Sequence, residues 1–134
     1  TGNITANNIT SNNIIAMQQA NIGNTLIKWA NTTTTSTGAN QTIAYYTISS
    51  TDIVGVEFLV KSYDSTNPGD TKYSVATVTA VTNGTNVDYV TYATAFLTSG
   101  TGALAVNITG GNVALQVTPS SSNSTVWTTQ VRFI

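Results

Sequence analysis

The sequence predicts an all-β fold, an antiparallel β-sandwich or jelly roll of about eight strands carrying an extended, repetitive amino-terminal arm. Three observations lead there. Only 7% of the 134 residues are charged, against the ~25% usual in a domain, and Thr, Ser and Asn fill their place. Thr is β-branched and suits a pleated, half-exposed surface, whereas Ser and Asn compete for backbone hydrogen bonds and favour turns over helix interiors. Strong helix formers are scarce, with one Glu, three Lys, one Arg and one Met. Lastly, short alternating apolar runs recur every ~8–12 residues between turn signals, the spacing of a sandwich.

The chain divides into an arm over residues 1–30, a polar linker or loop over 31–41, and a β-sandwich head over 42–134. In the arm, Asn3–Asn7, Asn8–Asn12 and Asn13–Met17 repeat a five-residue unit with Ile4, Ile9 and Ile14 in the same place. A period of five matches neither the helix nor the strand. It suits a shaft in which each unit buries its apolar residue against neighbouring units or chains. Asn13–Ala20 is the only stretch with any helical character. Asn31–Gln41 (NTTTTSTGANQ) is almost without apolar residues, hence the linker reading.

Thr42–Ile48 opens the head as a short strand. Val54, Val56, Phe58 and Val60 alternate with Gly55, Glu57, Leu59 and Lys61, a strand with one buried face. Asn67-Pro68-Gly69-Asp70 is a turn, Pro fixing φ and Gly accepting positive φ. The runs Lys72–Val81 and Val87–Leu97 flank Asn83-Gly84, the strongest short-range hairpin signal. Ser99–Gly102 turns the chain into Leu104, Val106 and Ile108, and Gly110-Gly111-Asn112 turns it into Val113, Leu115 and Val117. Pro119 ends that strand. Val126–Ile134 is the last, with Trp127, Val131 and Phe133 on one face.

Composition also excludes functions. Without His or Cys, the commonest general base, the thiol nucleophile and thiolate metal sites are all missing, and the expectation is a protein that is not an enzyme and needs no cofactor. Five carboxylates remain: Asp52, Glu57, Asp64, Asp70 and Asp88. A glycosidase pair needs two of them ~5–10 Å apart in a cleft. The turn aspartates Asp64 and Asp70 read instead as solvated turn-formers, and Glu57 as paired with Lys61 or another exposed charge. Asp64, Asn67 and Asp70 could offer oxygens to a calcium ion, but their spacing is not that of a calcium loop, and no metal site is assigned. The six tyrosines could form a glycan-stacking platform, although aromatic residues on strands are more often core or cross-strand pairs. Four scattered cations give no basic face for nucleic acid, and no apolar run approaches the ~18 residues of a membrane helix.

Several pieces of the head also match a known pattern in order and spacing. They are Val56–Lys61, Tyr73–Val78, Asn83-Gly84-Thr85, Thr91-Tyr92, Gly110–Pro119, and Asn123–Val126 with Arg132 and Ile134. Together they resemble a carboxy-terminal β domain of virion structural proteins, of fibre or appendage type, from marine tailed phages such as cyanophages. The upstream Asn-Ile-Thr repeat is similar to shaft sequence found ahead of such domains. The last strand departs from the pattern in lacking a Lys near Trp127, and Asn31–Gln41 has no counterpart. The resemblance implies a place on the virion surface, on capsid or tail, and a role as fibre, knob or decoration element. It implies no catalytic or ligand residues.

On this reading the chain is a homo-oligomer, preferentially a trimer, that touches other virion proteins and a host surface glycan. Ile4, Ile9 and Ile14 form the assembly arm, and Tyr63, Tyr89 and Tyr92 are candidate surface-contact aromatics. Two alternatives stand beside it. One is a cellular surface filament or S-layer-type subunit whose arm is donated as a strand to the next copy. The other is a glycan-binding module.

Overall fold

The computed structural model describes residues 19–22, 25–49, 53–66 and 72–134. Nine strands are present among them: β1 (Gln19–Ile22), β2 (Thr25–Thr34), β3 (Gln41–Thr47), β4 (Val54–Asp64), β5 (Tyr73–Thr82), β6 (Val87–Leu97), β7 (Gly102–Thr109), β8 (Asn112–Pro119) and β9 (Thr125–Phe133). They form a six-stranded sheet, ordered β1-β2-β9-β4-β5-β6, and a three-stranded sheet, ordered β3-β8-β7. Every pairing is antiparallel, and the fold is the all-β sandwich that composition predicts. Ile4, Ile9, Ile14, most of the weak helical stretch and the Asn67–Asp70 turn lie outside the described residues.

Period-two alternation builds the core. Val54, Val56, Phe58 and Val60 of β4 and Ala76, Val78 and Ala80 of β5 point inward. They meet Val106 of β7, Val113, Leu115 and Val117 of β8, and Trp127 and Val131 of β9. The Asn83-Gly84 hairpin forms as expected, with Gly84 at φ +85°. Asn83 Oδ1 accepts from the backbone N–H groups of Thr85 and Asn86 at 3.1 and 2.8 Å. Gly110 and Gly111, at φ +56° and +78°, make the two-residue turn between β7 and β8 for the same reason. Under the β4–β5 hairpin, the hydroxyls of Ser62, Ser74 and Thr101 lie within 2.5–2.8 Å of one another.

The 31–41 stretch differs from the linker reading. Asn31–Thr34 is the second half of β2, Gln41 already belongs to β3, and only residues 35–40 connect them. Residues 26–30, read with the arm, are likewise paired into the head's sheet against β9. The physical reason is that a threonine run is polar in composition but β-forming in shape. Thr34 is also buried, and its Oγ1 accepts the Trp127 indole N–H at 2.9 Å.

One buried group lacks what Thr34 has. Thr129, between Ala30 and Val60 in register, is fully buried and its Oγ1 has no hydrogen-bond partner. An unpaired buried hydroxyl costs about 1–3 kcal/mol, and valine has nearly the same shape. Thr129→Val is therefore expected to stabilise the fold by about 1 kcal/mol, read as a thermal midpoint several degrees higher at fixed protein concentration. An unchanged or lower midpoint would count against it.

Candidate functional site

Burial of one face of β4 forces Glu57, Leu59, Lys61 and Tyr63 onto the other, the outer face of the six-stranded sheet. Register extends that face into rows across five strands. Trp29, Gln130, Leu59, Thr77 and Tyr92 form one row, and Asn31, Thr128, Lys61, Val75 and Ala95 the next. In the third, Tyr63 and Tyr73 stand opposite each other, their rings stacked at 6.1 Å between centroids and 20° between planes.

Two shallow depressions lie on this face. One, of about 250 Å³, is bounded by Trp29, Leu59, Thr128 and Gln130. The other, of about 360 Å³, is bounded by Tyr63, Tyr73, Ala95 and Leu97. Lys61 and Val75 line both, so the two join into one groove with a lysine at its middle. Trp29, Leu59, Tyr63 and Tyr73 are all exposed. On its flank, Glu57 accepts from Arg132 Nη2 at 2.7 Å and from the Tyr92 hydroxyl at 3.2 Å.

The surface-contact tyrosines therefore separate. Tyr63 lies in the groove and Tyr92 beside it, whereas Tyr89, opposite Ala80, is on the other face of the sheet. Five of the six tyrosines are exposed and only Tyr46 is half-buried, stacked on Phe133 at 3.9 Å. Of the expectation that they are core or cross-strand pairs, the core part is corrected, while Tyr63 and Tyr73 are a cross-strand pair. The exposed five occupy outward positions or strands that the second sheet does not cover. Trp29, Leu59 and Tyr73 were not singled out by sequence reasoning. The signal was present in the parity of each strand relative to its buried Val and Phe, but combining strands required their register.

The carboxylates bear out one expectation and correct another. Glu57 pairs with another exposed charge, Arg132 across the sheet, and not along the strand with Lys61. Residues four apart on a strand are ~13 Å apart, while cross-strand neighbours are ~5 Å apart. Asp64 is not a solvated turn residue but is buried, accepting from Asn123 Nδ2 at 2.6 Å and the Thr66 N–H at 3.0 Å. It faces inward and Glu57 outward on the same strand, so they share no cleft. Of the calcium candidates only Asp64 is described, and no group of three potential acidic, His or Cys metal ligands occurs among the described residues.

Chemically, the groove offers apolar ring faces, one ammonium, and amide and hydroxyl groups. Such a surface binds ligands that combine apolar faces with many hydrogen-bonding groups, by stacking and hydrogen bonding.

No protein-family model matches the chain, and neither does any characterised protein sequence. Solved structures do match in fold. The tailspike protein of Acinetobacter baumannii phage AM24 superposes with a TM-score of 0.53 at 12% identity, over 81% of this chain and 26% of that one. The tailspike protein of Acinetobacter phage vB_ApiP_P1 gives 0.51 at 14% identity, over 96% and 24%. A tailspike of Acinetobacter baumannii bacteriophage Fri1, itself a capsular polysaccharide depolymerase, gives 0.45 at 8% identity over 86% and 19%, too distant to carry an argument. The chain spans about a quarter of the length of the first two, and what it shares with them is the fold of one part of a phage tailspike.

Proposed function

We propose that this chain is a domain of a phage tail appendage, exposed on the virion, which acts by assembly with its own copies and other virion proteins and by contact with a host surface glycan. The observation that carries the reading is the aromatic groove on the outer sheet face of a fold shared with parts of two tailspikes. The sequence resemblance to carboxy-terminal β domains of marine tailed phages points the same way and supplies the narrower reading of a trimeric fibre or knob element. Two of the five carboxylates support a domain that binds rather than cleaves. Glu57 is held by Arg132, and Asp64 is buried on the opposite side of the strand. Cleavage in a tailspike-like protein would then belong to parts outside this chain.

Retention of the purified chain on immobilised capsular and lipopolysaccharide glycans of candidate hosts tests this. Each ring that stacks on a sugar contributes ~0.5–1.5 kcal/mol, so Trp29→Ala and Tyr63→Ala are each expected to weaken binding roughly 2- to 10-fold with the fold intact. Absence of retention on every host glycan, or full retention by both variants, sinks the groove as the contact surface. Release of soluble oligosaccharide by the wild-type chain would overturn the non-enzymatic reading.

A further inference from the structure

β6 ends the six-stranded sheet, and every residue from Asp88 to Leu97 is exposed. The cause is a mismatch in sheet width. The three-stranded sheet ends at β7 and leaves β6 uncovered, so inward-pointing residues that would be core on β4 or β5 are open. Tyr89 and Phe96 are 41% and 57% exposed on that side, and Tyr92 is 45% exposed on the other.

A strand of this kind is an unfilled ladder. Natural proteins blunt such edges with Lys, Pro, short length or bulges. β6 is 11 residues long and has neither Lys nor Pro; its one charge is Asp88. A single irregularity at Ala93, with φ +51°, interrupts its pairing with β5.

Area and charge identify the occupant. An aromatic side chain can bury ~150–250 Å², so Tyr89, Tyr92 and Phe96 together offer on the order of 300 Å². Val81 and Val90, each more than half exposed, bring the strip, over the two sides of the edge, to about 500 Å². That is most of the ~800 Å² each partner gives to a stable interface, with the free main-chain edge still to add. A partner must meet this strip without burying unpaired charge. A second copy, with nine charged residues in 134, presents largely uncharged surface.

We propose that β6 is the strand through which one copy of this chain binds another, its free edge, its inward-pointing side chains and the Val90 end of its outer face being covered in the assembly, with the groove beside Leu97 left open. The inference rests on the reading of the chain as an assembly element and names the surface that performs it.

The test is the mass of the full chain in solution at micromolar concentration, for wild type and for a double variant, Val90→Lys with Phe96→Lys. Both positions are more than half exposed, so the substitutions disturb no core packing. Wild type is expected to be a multimer and the variant a 14.0 kDa monomer with an unchanged circular dichroism spectrum. Hydrogen exchange on wild type gives an independent readout, since protection of β6 amides should rise with protein concentration. A multimeric variant, or concentration-independent exchange on β6, overturns the inference and leaves the assembly reading intact. A monomeric wild type overturns both.

Discussion

Replacing Trp127 with alanine is expected to lower stability by about 3–5 kcal/mol, the largest loss from any single side chain here. The indole is buried in β9, between Thr32 of β2 and Ser62 of β4 in register. Its ring fills the space between the sheets, and its N–H is spent on Thr34 Oγ1. Truncation leaves a cavity that a rigid sheet cannot collapse into. Since domains are stable by only ~5–15 kcal/mol, the variant should lose a third or more of its margin, with a midpoint lower by roughly 10–20 °C. Thr34→Val separates the two contributions. It keeps the packing but leaves a buried indole N–H unpaired, at about 1–3 kcal/mol. Thermal or denaturant unfolding at one protein concentration reads both. A Trp127→Ala midpoint within a few degrees of wild type would mean that the indole is not the keystone of this interface. Thr34→Val and the stabilising Thr129→Val are the same chemical change with opposite expected signs, because one hydroxyl has a partner and the other has none.

Gly102→Ala is the second large effect, and its origin is steric. A Cβ at this first residue of β7 would lie 2.6 Å from the Thr118 carbonyl oxygen and 2.9 Å from Pro119 Cα. Both are backbone atoms of the neighbouring strand, so no side chain can swing aside. Forcing the methyl in must part β7 from β8, at about 1–3 kcal/mol. The displacement would also pull Thr101 away from Ser62 and Ser74, whose hydroxyls it bridges. Gly100→Ala is the control. Nothing lies within 4 Å of its added Cβ, and reducing the freedom of the unfolded chain should leave stability unchanged or slightly raised. Equal unfolding midpoints for the two variants would refute the close-approach argument.

Much of the sandwich was legible in the sequence because its rules are local. Alternation of Val54 to Lys61, the Asn83-Gly84 hairpin, the paired glycines at 110–111 and the apolar face of Trp127, Val131 and Phe133 all follow from the period of two and from turn chemistry. What stayed hidden depends on partners far along the chain. β2 was masked because Thr32–Thr34 look like linker until Trp127 supplies a reason to bury one of them. Asp64 looked like a turn residue until Asn123, 59 positions away, turned out to hold it. The groove was hidden in the same way: Trp29, Tyr73 and the pair Leu59 and Lys61 sit on three different strands, and only register brings them onto one surface.

The place of β9 has a temporal consequence. Of the nine strands it is synthesised last, yet it belongs in the interior of the larger sheet, between β2 and β4. Trp29 faces Gln130 in that pairing, so closing the seam joins segments about a hundred positions apart. The β4-β5-β6 meander can form from local hairpins while synthesis continues, but β2 must wait with its edge unclaimed. Topologies of such high contact order fold in milliseconds to seconds rather than microseconds. During that interval the nascent chain offers two open strands, β2 and β4, to any neighbour. When several ribosomes translate one message, correct closure of each head therefore competes with strand exchange between heads, and the nearly uncharged sequence offers little repulsion to keep them apart.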